Sequence, residues 1–384
     1  MTGARSNRRR SWNPLSRDSD LTTRAAAIGL VLVLALAIAV ALFLRAPSGS
    51  PEADSTLASG TTTVPADYVA TGAGENVDSI AFWEAPDPVD SQMFVTSKDR
   101  SLVEVWNYPY ASADDEQSPL THPCLEADAD SATNGVLVDQ ETDLLYVASN
   151  FSPNVCVFSL PDLVHEKTIT SEVTYELEPN LALITLPSGD KRLYVSNDTV
   201  VYIHDASTGA ALGQFEPAKG LEAMWGDSRD QVLYMPDENT RTGVYAYAPD
   251  GTPYTRNGET AFGDSTIFDS DGEGITEYTC PPSGPGDDGG GLIVVSDQID
   301  DASQGNDYEV FDRRTWAHLG TFTLRLPDGT LVSNTDGIAS TQQSLPQHPD
   351  GIFAAIQDDT SVAGAGWDTV LDAISAQTGT TVGC

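Results

Sequence analysis

LYVSNDTVVYIHDASTG, residues 193 to 209, decides the fold. A short apolar run ends in a polar turn, a second run follows, and a turn rich in Asp, Ser, Thr and Gly closes it. Two short strands in succession have this form. The figure recurs along the chain. First strands read MFVTSKD (93–99), LYVASN (145–150), LYVSND (193–198), LYMPDE (233–238), LIVVSDQ (292–298) and IFAAIQDD (352–359). VEVWNYP, NVCVFSLPD, TVVYIHDASTG, GVYAYAPDG and DYEVFDRR supply the second strand in most units. A further apolar run precedes each unit. A period of about 40 to 60 residues, with three or four short strands per unit, is the mark of a β-propeller. Six units predict an all-β, six-bladed propeller. Helical periodicity is nearly absent from these units, and the one short helix expected is WDTVLDAIS near the C-terminus.

What precedes the repeats is different in kind. Residues 25–44, AAAIGLVLVLALAIAVALFL, are long and apolar enough to span a bilayer as a helix, with six arginines before them and one after. We read residues 1–24 as a cytoplasmic basic tail, 25–45 as a transmembrane signal anchor, 46–74 as a flexible stalk rich in Ser, Thr, Gly and Pro, and 75–384 as the propeller. The expected location is the cell membrane, single-pass, with the propeller outside, or secreted if the anchor is cleaved. Seven of the 19 basic residues and two of the 57 acidic ones lie in the first 45 positions, so the remainder carries 12 basic and 55 acidic residues. Such a surface repels nucleic acid and attracts cations. Four cysteines (124, 156, 280 and 384) in an exported domain favour disulfides. Of three pairings, Cys124 with Cys156 and Cys280 with Cys384 is preferred.

A polar residue stands at the same phase in every unit, just before the preceding apolar run: Asp78, Asn134, Asn180, Glu222, Glu273 and Asp336. In a propeller these positions converge at one end of the central channel. The stretch FDSDGEGITEY (268–278) adds Asp269 and Asp271 beside Glu273. Clustered carboxylates need a counter-charge. With few basic residues available, a hard divalent cation such as Ca²⁺ is the expected one. The five histidines show no HExxH spacing, and no GxSxG elbow or phosphate loop is present. SGDK (188–191) and TGAGEN (71–76) read as ordinary turns.

Four stretches resemble the β-propeller phytases and their wider phytase-like group. These are NVDSIAFWEAPDPVDSQMFVTSKDRSLVEVW, GLEAMWGDSRDQVLYMPDE, SDGEGITEY with LIVVSDQIDDASQGNDYEVFDRR, and SNTDGIASTQQSLPQHPDGIFAAIQDD. The resemblance implies a calcium-dependent phosphomonoester hydrolase of 3-phytase type. Asp78, Glu222, Asp271, Glu273, Asp336 and Asp358 would bind Ca²⁺, Glu222 and Glu273 also serving catalysis, and Glu238 matches less closely. Lys98 would face the phosphate of phytate or a simpler ester, helped by Gln298 or Gln304. The chain departs from the family pattern at Phe151, where an arginine is expected, at Pro179, where a tyrosine is, and at Asn197 and Asp198, where a Lys–Glu pair is. The alternative is a non-catalytic, calcium-stabilised cell-surface propeller that binds a polymer or protein. The ectodomain is expected to be monomeric.

Overall fold

The repeated runs are apolar throughout because each strand is covered on both faces. Leu145 and Val147 pack towards Phe94 and Val105 of the preceding unit, whereas Tyr146 and Ala148 pack towards Leu181 and Val195 of the following one. Successive side chains of a strand point to opposite faces, so a blade between two neighbours must be apolar at every position. The core is accordingly six interblade layers rather than one mass.

The computed structural model describes residues 60–71, 76–112, 114–126, 131–175, 178–197, 199–220, 223–238, 241–284, 287, 289–299, 301 and 303–384. Six sheets, each built on four antiparallel strands, run in chain order. Their innermost strands are Val77–Trp83, Thr133–Asp139, Leu181–Thr185, Trp225–Asp227, Asp271–Thr279 and Ile338–Thr341. The expected first and second strands of each unit occupy the next two places outward. The expected helix is Trp367–Thr378, which buries Trp367, Val370 and Ile374 against blades five and six. Both preferred disulfides are present.

One boundary moves. The stretch read as stalk contains two strands, Thr62–Pro65 and Tyr68–Ala70. The first pairs in parallel with His318–Arg325 at the edge of blade five. The second pairs with Ser361–Gly366 as the outer strand of blade six, bringing the N-terminal side of the domain onto its C-terminal blade. The domain therefore begins before residue 75. Seven residues are too few to show a hydrophobic period, and they become strands because two blade edges offer unpaired backbone groups. The apolar run 25–44, read as a membrane anchor, lies outside the described residues. Among those described, no helix is long and apolar enough to cross a membrane.

Candidate functional site

Three innermost strands start with the same irregularity. Their register slips between Val77 and Ile80, between Thr133 and Val136, and between Gly272 and Ile275. A bulge re-aims side chains, and the bulged residues include Asp78, Asn134 and Glu273. A small residue follows the polar one: Ser79, Gly135, Gly274, and Gly337 after Asp336. These glycines let neighbouring blades touch. A Cβ on Gly337 would lie 2.3 Å from the carbonyl oxygen of Asp78, and one on Gly135 would lie 2.5 Å from that of Pro179. One on Gly274 would meet the Asp336 carbonyl at 2.8 Å. The packing of backbone on glycine draws the blades close enough for the polar side chains to meet.

They meet at the mouth of the channel. Asp78, Asn134, Asn180, Glu273 and Asp336 line one small cavity together with Glu178. Glu222, the sixth expected member, lies outside the described residues. Asn134 Nδ2 donates to Asp78 Oδ2 at 2.9 Å, and Ser79 Oγ donates to the same oxygen at 2.7 Å. Gln298 Nε2 donates to Asp336 Oδ1 at 2.6 Å. Lys98 stands among the acids. Its Nζ is 3.1 Å from Asp78, 3.1 Å from Glu178 and 3.0 Å from Asp336, with 14% of its side chain exposed. The cavity left open at the mouth is about 10 Å³, room for roughly one water. Below it the channel turns apolar, between Ile80, Val136, Leu181, Met224 and Ile338, around a cavity of about 140 Å³.

Burial pushes the Asp78 carboxyl up to about 6, against the opposing pull of Lys98. Burial also raises Asp336 and Asp359, again partly offset by Lys98. Among the described residues, Lys98 thus faces Asp78, Glu178 and Asp336, with Asp359 in electrostatic contact and Glu273 lining the same cavity.

The structure separates the other expected residues. Gln298 reaches the mouth, whereas Gln304 is exposed on a turn and donates to Asp301. Asp358 is exposed, and its neighbour Asp359 is the one in electrostatic contact with Lys98 and Asp78. Asp271 opens its strand opposite Gln298. Asp269 instead donates its backbone N–H to Asp297. The bulge after Gly272 interrupts the alternation between Asp271 and Glu273. Lys98, expected to face a phosphate, is ion-paired with three mouth carboxylates. Glu238 lies in the turn after the second strand of blade four, where Asp237 is bonded to Thr242. Phe151, at the turn equivalent to that of Lys98, is exposed, with φ of 54°. Sequence reasoning missed Glu178, which precedes its strand by three positions and reaches the mouth through an irregular loop.

No family model matches the chain, and no curated protein matches it. Solved structures that resemble it include the Pan2 WD40 domain of Neurospora crassa, at 12% identity and a TM-score of 0.46, over 76% of this chain and 88% of that one. Another is a chain of the mitotic checkpoint complex, at 12% identity and a TM-score of 0.47, over 83% of this chain and 96% of that one. Similarity at this level concerns the fold alone. The resemblance to β-propeller phytases is corrected: no family model and no curated protein supports it. The six-bladed β-propeller rests on the six sheets of the structure itself.

Proposed function

We propose that this is a non-catalytic binding propeller, displayed outside the cell, whose acidic mouth is a cation-holding plug and whose rim engages a cationic partner. One observation carries the reading: Lys98 sits 3.0–3.1 Å from three mouth carboxylates. A lysine so held has its charge engaged by the protein's own carboxylates, which favours a plug over a phosphate grip. The net charge of −38 favours a basic protein or polymer as partner.

Calcium is the proposed ion. The donor set is made of hard oxygens, the kind Ca²⁺ takes. Among the described residues the mouth carboxylates outnumber the Lys98 ammonium, a deficit that a divalent ion would offset. Asp78, Glu178, Glu273 and Asp336 would hold it, and Lys98 would then have to yield part of its place. Titration of the purified protein with a lysine-rich peptide, followed by fluorescence anisotropy, tests the reading. Binding should be measurable at low ionic strength and weaken steeply with salt. No binding at low ionic strength overturns it.

A further inference from the structure

A second set of buried acids lies away from the mouth, in blade five. Asp297 and Asp307 stand directly opposite each other on adjacent strands. Asp297 is 0% exposed and Asp307 is 6% exposed. Tyr308 pairs with Phe322 on the next strand, which places Thr323 opposite Asp307, and Thr63 pairs in turn with Thr323. Directly opposed residues share a face, so Asp297, Asp307, Thr323 and Thr63 form one row across the blade. Glu309, on the same face, is buried against His318 and Thr321. Like charges in direct opposition destabilise a sheet, and no lysine or arginine is paired with either aspartate among the described residues.

A second observation points to a ligand. The Thr323 hydroxyl is 0% exposed and has no hydrogen-bond partner among the described residues. It faces the row from the position opposite Asp307. Thr61 Oγ1, 3.5 Å from Asp307 Oδ2, adds a further hydroxyl. Asp297 already receives the backbone N–H groups of Asp269 and Ser270, both at 2.7 Å, which fixes its orientation and leaves lone pairs over. We infer that Asp297, Asp307 and the Thr323 hydroxyl form a calcium site built into blade five, distinct from the channel mouth. The chemistry is that of a hard cation: two carboxylates, hydroxyls, and no nitrogen or sulfur donor in the row. Its role is structural, because the Asp269–Ser270 turn it steadies leads directly into the innermost strand that carries Glu273.

Equilibrium dialysis with calcium and thermal melts of the purified protein, each with and without chelator, test the site. Thr323→Val keeps the shape and removes the hydroxyl. It should weaken calcium affinity at this site about tenfold and leave the melting temperature in chelator unchanged or higher. Asp307→Asn should lower the calcium count by one, whereas Asp336→Asn at the mouth should leave this ion bound. Unchanged calcium affinity and count in both blade-five variants would overturn the inference. So would an Asp307→Asn protein that gains the same stability with calcium and with chelator, the behaviour of two carboxyls sharing a proton.

Discussion

Replacing Lys98 with Met removes the ammonium and keeps the length of the side chain. Asp78, Glu178 and Asp336 then face one another without it. Removing one partner of a buried ion pair costs about 3–5 kcal/mol. Lys98 is 14% exposed and Glu178 32%, so the low end applies, about 3 kcal/mol after solvent screening. In a domain of this size that is a fall of about 5 °C in melting temperature. The loss depends on pH, and its sign follows from Asp78. Its folded value of about 6 lies above the ordinary 3.8. A raised carboxyl contributes stability that is fully present below the unfolded value and is lost as pH rises through the folded one. Without Lys98 the folded values of Asp78 and Asp336 rise further. The variant's deficit should therefore be smaller at about pH 5 than at about pH 7.5. Urea melts in chelator at the two pH values measure this. A deficit equal at both pH values or larger at the lower one would refute the electrostatic account of the mouth.

Gly337→Ala would set a Cβ 2.3 Å from the Asp78 carbonyl oxygen. It should destabilise by about 2 kcal/mol or more through the forced separation of blades six and one, seen as a lower urea midpoint. Cys384→Ser opens the link to Cys280 across 104 residues and should cost up to about 4 kcal/mol. Hydrogen exchange should quicken in Trp367–Thr378 first, since that helix is the element next to the lost tie. Deleting residues 1–71 removes both N-terminal strands and should yield aggregated or unfolded protein, whereas deleting 1–59 should leave a cooperative melt. Equal behaviour of the two deletions would remove Thr62–Pro65 and Tyr68–Ala70 from the stable domain. Arg313→Met should be strongly destabilising, by about 3 kcal/mol or more, because it strands Asp227 and Glu277 in a fully buried network.

The blades were legible because burial on both faces forces continuous apolar runs, and runs such as LYVSN and LIVVS keep that signature in every unit. The mouth was legible for a related reason. A polar residue ahead of an apolar run has a fixed place once the run is the channel strand, and Asp78, Glu273 and Asp336 took it. Glu178 carries no such phase, since it sits on an irregular loop. Asp358 and Asp359 differ by one residue, and a single step in a turn decides which of them faces Lys98. The two N-terminal strands were hidden in TTVPADYVA, whose structure comes from edges supplied by residues far away in sequence. Least legible was the partner of Lys98. Its ion pairs with three carboxylates come from residues distant in sequence, which no local pattern announces.

The central claim is that the mouth is a closed, non-catalytic plug. Phosphate release from phytate and simple phosphomonoesters, measured with the purified protein in calcium and in chelator beside Asp336→Ala, tests it most directly. The account predicts no release above the blank in either condition, with Asp336→Ala indistinguishable from wild type. Calcium-dependent release that Asp336→Ala abolishes would contradict it.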